Sequence, residues 1–326
     1  MRKKILITGG AGFIGSHLAR RLVDDHDVTL IDDFSRGRQD AELLQLCDRA
    51  TLISHDLTLP MPERLDRDFD CVYHLAAVVG VVYSNEEPQR VLRTNLLSTI
   101  HVLDWFRQLT GATLCFASSS EAYAGSVTAR LAPVPTSEDV PLVVADPTVA
   151  RSSYGFSKIA GELLCRNYAQ AYGFPLRMVR FHNVYGPRMG HEHVIPQFID
   201  RLLERHDPFD VYGADQYRAF CYVTDAVEAI IALSELPTRE TLLVNVGNDV
   251  EETKIEELAY QVFDVGGSHP CLRVRPAPPL SPQRRVPDLS LLRSLTGYRP
   301  QVGLAEGLQR TYDWYARARA TAVETT

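Results

Sequence analysis

Short β-rich apolar runs alternate with helical patterns through the first half of the chain. The apolar runs predict six strands: Lys4–Thr8, Val28–Asp32, Thr51–His55, Cys71–Ala77, Thr113–Ser118 and Leu176–Val184. Helical patterns such as Phe13–Val23 and Val91–Gln108 lie between them. Because strands that alternate with helices run parallel, this pattern predicts an α/β fold with a doubly wound parallel sheet.

The loop after the first strand carries glycines at three-residue spacing, Gly9, Gly12 and Gly15. Glycines there allow a tight turn, close backbone approach to a pyrophosphate and close packing of helix on strand. The N–H groups at the helix start then face the phosphates. The spacing differs from the general G-x-G-x-x-G fingerprint, so a Gly-rich turn without a ligand is the alternative. The position between a strand and an amphipathic helix favours a dinucleotide site.

Acidic residues end the next two strands. Asp32 lies 17 positions after Gly15, close to the about 20 expected for a carboxylate on the adenosine ribose. A carboxylate repels a 2′-phosphate, which favours NAD over NADP, although Arg36 and Arg38 could accommodate that phosphate. Asp56 ends the third strand, where it could meet the adenine amino group.

The fifth predicted strand runs into Ser118-Ser119-Ser120-Glu121. In open α/β sheets ligands bind outside the carboxyl ends of the strands, so three hydroxyls and a carboxylate there indicate a site. A polar loop capped by serines is the alternative. For His74, at the end of the fourth strand, a packed histidine and a cofactor role are both open.

Tyr154 and Lys158 are four residues apart, which places them on one face of a helix. That helix is predicted to run to about Tyr172 and to end at Gly173. A nearby cation stabilises phenolate, so we expect the pKa of Tyr154 to fall towards working pH and the phenol to act as a general acid or base. The alternative is a solvated lysine beside a packed tyrosine.

Composition narrows the class of protein. The chain has 326 residues and a net charge of −7 without a long basic run, which makes nucleic acid or an anionic membrane a poor partner.

Six scattered cysteines without C-x-x-C predict free thiols in a reducing compartment. No apolar stretch approaches the roughly 18 residues of a membrane span, so we expect a cytoplasmic protein. The alternation in His191-Glu192-His193 lacks further ligands, and we predict no metal site.

Taken together, these motifs resemble the extended short-chain dehydrogenases/reductases, specifically the NAD-dependent epimerase/dehydratase group acting on nucleotide sugars. The resemblance spans nearly the whole chain in order. It is carried by Thr8-Gly9-x-x-Gly12-x-x-Gly15, Asp32, Asp56-Leu57, His74-Leu75-Ala76-Ala77, Asn95, Ser119, Tyr154-x-x-x-Lys158, Arg180-Phe-His-Asn-Val-Tyr-Gly-Pro-Arg188, Arg218-Ala-Phe-Cys-Tyr-Val-Thr-Asp225, Asn245-Val-Gly247 and Arg285-Val-Pro-Asp288.

The resemblance implies a Rossmann domain over residues 1–182, with later segments near 219–246 crossing back, and a smaller nucleotide-sugar-binding domain over 183–326. It implies a tightly bound, recycled NAD and a homodimer formed by the helices Val91–Gln108 and Tyr154–Tyr172. The implied cofactor residues are Gly9, Gly12, Phe13, Ile14, Gly15, Asp32, Asp56, Leu57, Leu75, Ala76, Ala77, Asn95, Tyr154 and Lys158.

The resemblance also assigns the chemistry. Tyr154 would remove the proton from the sugar C4 hydroxyl as hydride leaves, Ser119 would hydrogen-bond that oxygen, and Lys158 would bind the nicotinamide ribose and lower the pKa of Tyr154. Ser120 and Glu121 are candidates for the later steps. The implied substrate contacts are Asn183, Arg188, Arg218 and Arg285.

Several reactions can follow oxidation at C4. Ser119-Ser120-Glu121 and the segment around Arg285 resemble nucleotide-sugar decarboxylases, whereas Arg180-Phe-His-Asn183 resembles some epimerases. An epimerase is the first prediction because it is the commonest activity of the group. A UDP-glucuronate-type decarboxylase and a 4,6-dehydratase remain open, as does a catalytically inactive, NAD-sensing Rossmann protein.

Overall fold

The computed structural model describes residues 2–144, 146–278 and 281–324. Its strands are β1 Lys4–Thr8, β2 Asp27–Asp32, β3 Thr51–Ser54, β4 Cys71–His74, β5 Thr113–Ser119, β6 Leu176–Phe181, β7 Val184–Tyr185, β8 Phe209–Tyr212, β9 Tyr217–Ala219, β10 Cys221–Tyr222, β11 Thr241–Val246, β12 Glu252–Lys254, β13 Leu272–Arg275 and β14 Arg284–Arg285. Its helices are α1 Phe13–Leu22, α2 Ala41–Cys47, α3 Val81–Glu86, α4 Pro88–Phe106, α5 Ala124–Thr128, α6 Ser152–Tyr172, α7 Val194–Leu203, α8 Val223–Ser234, α9 Ile255–Gly266, α10 Ser290–Thr296 and α11 Leu304–Glu324.

Seven strands form one parallel sheet in the order β11-β6-β5-β4-β1-β2-β3. This confirms the predicted doubly wound α/β fold. The chain crosses from β3 back to β4 beside β1, so the strand order reverses at the carboxyl ends of β1 and β4. A ligand crevice forms at such a reversal.

Two predicted strands end three residues earlier than the apolar pattern suggested. β4 stops at His74, because the next residues turn around Gly9, where Ala76 N–H donates to the Thr8 hydroxyl at 3.3 Å. β6 stops at Phe181, and Asn183 has a left-handed φ of 42°. In both places the chain leaves the sheet where a ligand would approach it.

Helices cover both faces of the sheet. On one face α4 and α6 bury Val102, Phe106 and Cys165 against sheet residues such as Phe116. On the other face α1 and α8 contribute to a larger core. Gly173 ends α6 in the left-handed conformation, as predicted.

The last strand of the main sheet comes from the second half of the chain. β11 pairs with β6 in parallel, with Thr241 opposite Leu176. Residues after 182 therefore contribute to the main sheet, while the boundary between the two predicted domains stays a prediction.

The remaining strands form small sheets outside the main one. In the three-stranded sheet β12-β9-β14, the parallel register between β9 and β14 places Arg285 opposite Arg218. Two arginines that are far apart in the sequence therefore become neighbours.

Candidate active site

A cavity of about 390 Å³ lies at the carboxyl ends of the parallel strands. It is lined by the Gly-rich loop, by the ends of β2, β3, β4 and β5, by the start of α6, and by residues from the smaller sheets. This volume lies in the usual range for ligand sites, and its position matches the reversal of strand order.

The glycines of the Gly-rich loop allow neighbouring backbone, and a ligand, to lie close to the loop backbone. Gly9 has a φ of 70°, and a Cβ on it would lie 2.8 Å from the Ala76 backbone nitrogen. A Cβ on Gly15 would lie 2.1 Å from the Gly9 carbonyl oxygen. Gly12 precedes the first residues of α1, Phe13 and Ile14, which line the cavity. The loop thus leaves room for a diphosphate against the helix N-terminus, and these residues fit a bound dinucleotide.

Asp32 is held at the adenosine end of this groove. Its carboxylate accepts hydrogen bonds from Ala11 N–H at 3.0 Å and Phe34 N–H at 2.8 Å. Burial raises its pKa, although these backbone donors oppose that shift. Asp56 and Leu57 line the same end of the cavity.

The two arginines considered for a 2′-phosphate are engaged elsewhere. Arg36 pairs with Glu192 at 3.1 Å, and Arg38 lies 2.8 Å from the His191 ring nitrogen. Both arginines thus have partners of their own, and the expected preference for NAD over NADP rests on Asp32 and stays a prediction.

The segment after β4 forms the cavity wall. Leu75, Ala76 and Ala77 line it, and Asn95 binds the adjoining backbone, accepting from Val78 N–H at 2.8 Å and donating to Val78 C=O at 3.1 Å. These contacts give Asn95 a bracing role. Its predicted direct contact with the cofactor stays a prediction.

His74 is buried beneath this wall. It contacts the Thr8 hydroxyl at 2.8 Å, and burial lowers its pKa to about 3. These contacts match the packed strand-end histidine that the sequence left open.

The predicted catalytic side chains meet at the other end of the cavity. Ser119 ends β5, while Tyr154 and Lys158 occupy the first turns of α6. Burial dominates the pKa of the Tyr154 phenol, and the neighbouring Ser119 hydroxyl acts to lower it. The Lys158 ammonium lies 5.8 Å from the centre of the Tyr154 ring and donates to Ala117 C=O at 2.8 Å.

The expected lowering of the tyrosine pKa is wrong for the protein alone. Burial raises the pKa of Tyr154 to about 12, and the hydrogen bond from Ser119 offsets it only in part. The ammonium of Lys158 points to a backbone carbonyl, and burial lowers its own pKa to about 8. The helical spacing places Tyr154 and Lys158 near each other, but desolvation is the largest effect on the pKa of each group.

Glu121 lies between two guanidinium groups. Its carboxylate is 2.9 Å from Arg285 and 3.6 Å from Arg151, and all three side chains are largely buried. Burial favours the neutral acid, but these charges together with Arg218 outweigh it and hold the pKa of Glu121 below its usual range. Neighbouring Ser120 is buried and also lines the cavity.

Arg151 is the residue that sequence reasoning missed. It precedes Tyr154 by three positions, so it lies on the same side of α6, and it lines the cavity. The spacing to Tyr154 was a usable signal. Nothing in the sequence, however, placed Glu121 between Arg151 and Arg285.

The other predicted substrate residues separate into two groups. Arg218 lies beside Arg285 and donates to Gln216 at 2.9 Å and Ser281 at 3.1 Å, while Asn183 lines the cavity and donates to Ala219 C=O at 2.9 Å. Arg188 instead pairs with Asp40 at 2.5 Å and reaches the Ala11 carbonyl of the Gly-rich loop. These contacts place Arg188 beside the Gly-rich loop, and its assignment to the substrate stays a prediction.

The described residues hold no candidate membrane span and no candidate metal cluster. Within them, no helix is long and apolar enough to cross a membrane, and no group of three His, Cys, Asp or Glu side chains is placed to hold a metal ion. The six cysteines are free thiols, as predicted.

The fold and this cavity define the class of a dinucleotide-dependent enzyme. The model of the NAD dependent epimerase/dehydratase family matches residues 5–247, and the chain belongs to this family. It is an NAD-dependent enzyme that modifies nucleotide sugars.

Three of the similar proteins are named for acidic sugars. The chain is 35% identical over 321 residues to UDP-glucuronic acid decarboxylase 1 of Danio rerio, covering 97% of this chain and 73% of that protein. It is 34% identical over 328 residues to the UDP-N-acetyl-alpha-D-glucosaminuronate decarboxylase of Bacillus cytotoxicus, covering 97% and 98%. A solved UDP-glucuronic acid 4-epimerase from Bacillus cereus, in complex with UDP-glucuronic acid and NAD, superposes with a TM-score of 0.86 at 28% identity, covering 97% and 99%.

Proposed function

We propose that the protein is an NAD-dependent UDP-uronate decarboxylase. The observation that carries this proposal is the set of arginines, Arg151, Arg218 and Arg285, around the single carboxylate of Glu121 beside Ser119 and Tyr154. The decarboxylases among the relatives support it. The epimerase predicted from the sequence becomes the second candidate.

The charge balance explains why an acidic sugar fits. Arg285 and Arg151 contact the one carboxylate of Glu121, and Arg218 adds a third positive charge opposite Arg285, so this part of the site carries an excess of positive charge. The Arg285 nitrogen nearest Glu121 is buried and lacks a hydrogen-bond acceptor in good geometry. A carboxylate on sugar C5 would accept from Arg285 or Arg151 in a charge-assisted pair, and the nucleotide diphosphate would use Arg218.

Each residue of the site has its own role in the proposed reaction. Tyr154, assisted by Ser119, would take the proton from the C4 hydroxyl, and NAD held by the Gly-rich loop and Asp32 would supply the hydride acceptor and donor. The C4 ketone makes the substrate a β-keto acid, so the C5–C6 bond breaks, CO₂ leaves and the electron pair passes into an enolate. A proton from solvent, delivered to C5 in the part of the cavity lined by Glu121 and Ser120, would restore the ketone. Tyr154 then returns its proton as the ketone is reduced, which gives a UDP-pentose from UDP-glucuronate.

We also infer that NAD, rather than NADP, is the cofactor and stays bound through turnover, and that the chain forms a homodimer through α4 and α6. Asp32 supports the first inference. The exposed side chains of Phe156 and Leu163 on α6 support the second. NAD that co-purifies with the protein and the mass measured in solution by light scattering test them.

Incubation of the purified protein with a panel of UDP-sugars tests the reaction. We expect UDP-glucuronate to lose CO₂ and to give a UDP-pentose, with no change in UDP-glucose. Loss of water would instead identify a 4,6-dehydratase. Bound NAD without turnover of any sugar would favour an NAD-sensing protein.

The second candidate is a UDP-uronate 4-epimerase. The fold similarity to the Bacillus cereus epimerase favours it, and the arginines would hold the same carboxylate. Conversion of UDP-glucuronate to a product of unchanged mass and inverted stereochemistry at C4 would establish this reaction and overturn the decarboxylase proposal.

A further inference from the structure

Arg36 occupies an unusual place, because it bridges three loops around the cavity. It follows Asp32 in the loop after β2, and its guanidinium donates to the Val79 carbonyl beyond β4. It also pairs with Glu192, before α7, at 3.1 Å, and lies 4.9 Å from the centre of the Tyr83 ring. Arg36 and Val79 both line the cavity.

The position of Arg36 lies between the two ends of the dinucleotide groove. Asp32, four positions earlier, marks the adenosine end. Gly37, next to Arg36, packs on the Gly-rich loop, since a Cβ on it would lie 2.7 Å from the Ala11 side chain, and the Val79 carbonyl that Arg36 contacts follows the cavity wall formed by Leu75, Ala76 and Ala77. The middle of a dinucleotide between these ends is its diphosphate.

Glu192 holds the guanidinium in this place. Arg36 and Glu192 have side chains that are 20% and 22% exposed, so the pair is largely screened from solvent. Gly190 leaves space for it, since a Cβ there would lie 2.5 Å from the Glu192 carboxylate and 3.2 Å from Arg36. A half-buried arginine with one acidic partner keeps donors for a second anion.

We propose that Arg36 is a ligand of the dinucleotide diphosphate, held across the groove by Glu192. The diphosphate would then lie between the N–H groups at the start of α1 and the Arg36 guanidinium on the opposite side. Such an arrangement adds a charge-assisted contact to the backbone cradle. The inference concerns cofactor binding alone, so it stands or falls independently of decarboxylation.

Competition titrations of the full chain with NAD, ADP-ribose, adenosine and NADP test it. We expect Arg36→Gln to lower the affinities for NAD and ADP-ribose by roughly tenfold or more. The affinity for adenosine, which lacks a diphosphate, should stay unchanged. Arg49→Gln removes the same charge from an exposed pair with Asp24 and should change none of the four affinities.

Glu192→Gln tests the positioning role. We expect Glu192→Gln to lower the NAD affinity of the wild-type chain by a smaller factor than Arg36→Gln does. In a chain that already carries Arg36→Gln, it should cause no further loss of NAD affinity. An equal loss of adenosine affinity in Arg36→Gln would mean that Arg36 only holds the loops together. A loss confined to NADP would assign it to a 2′-phosphate. Either result, or an independent effect of Glu192→Gln in the Arg36→Gln chain, would overturn the proposal.

Discussion

At the scale of the residue, the site depends on a few side chains whose environments change their ordinary chemistry. Tyr154 is neutral at pH 7, because burial raises its pKa to about 12. Lys158 titrates near neutrality, because burial lowers its pKa to about 8. Each group therefore depends on ligands bound beside it to reach its reactive form.

Tyr154→Phe removes the proton acceptor and retains the ring that packs near Lys158. We expect turnover of UDP-glucuronate to fall by at least about 10²-fold, because general acid–base catalysis is lost, while NAD stays bound. Product analysis and the NAD content of the purified variant check both parts. Activity close to that of the wild type would exclude Tyr154 as the base.

Arg285→Gln tests recognition of the sugar carboxylate. We expect the affinity for UDP-glucuronate to fall by about tenfold or more, because a charged hydrogen bond is lost, and the affinity for UDP-glucose to change little. Arg284→Gln is the matched control, since the neighbouring arginine points to Glu252 on the outside. Equal losses for both sugars in binding titrations would place Arg285 at the diphosphate instead.

At the scale of the element, one buried arginine holds the loop that connects α8 to β11. Arg177 in β6 donates to five backbone carbonyls, at distances from 2.6 to 3.2 Å. Its acceptors are Leu176, Leu233, Leu236, Thr238 and Glu240. Burial lowers the pKa of this guanidinium. Arg177 therefore ties the last turn of α8 to the strand that completes the sheet.

Arg177→Met should destabilise the fold by about 3–5 kcal/mol, because several buried carbonyls lose their donor at once. Urea unfolding measures the free energy. Arg239→Met, which removes an exposed arginine bonded to Gly173 C=O, should change it by less than about 0.5 kcal/mol. Similar values for the two variants would contradict the role of Arg177.

At the scale of the whole molecule, buried neutral histidines make stability depend on pH. Burial lowers the pKa of both His74 and His182 to about 3. Below pH 6.5 the unfolded chain binds protons at these positions while the folded chain does not, down to about pH 3. Each histidine therefore lowers the free energy of unfolding by about 1.4 kcal/mol per pH unit in that window.

His182→Gln keeps a donor for the Asn245 side chain, which His182 contacts at 3.1 Å, and removes the titration. We expect the loss of stability between pH 7 and pH 5 to shrink by about 2 kcal/mol relative to the wild type. Urea unfolding at the two pH values measures it. An unchanged difference would mean that His182 does not titrate in this way.

Much of the architecture followed from the sequence. Five of the six predicted strands begin where the structure has them, because a buried parallel strand is a short apolar run with its own local signature. The Gly-rich loop, Asp32, Ser119 and the Tyr154–Lys158 pair were also predictable. Each occupies a fixed position relative to a strand or helix, so spacing along the chain determines its place.

Only the tertiary structure decided which charged side chains meet in the site. Arg285 meets Arg218 through the register of β14 on β9, and Arg151 meets Glu121 across the cavity. Arg36 reaches Glu192, more than 150 positions away. The degree of burial, which reversed the expected shift of the Tyr154 pKa, is likewise a property of the packed molecule. Spacing places groups within one element, whereas contacts between distant elements and the desolvation they cause exist only after the chain has folded.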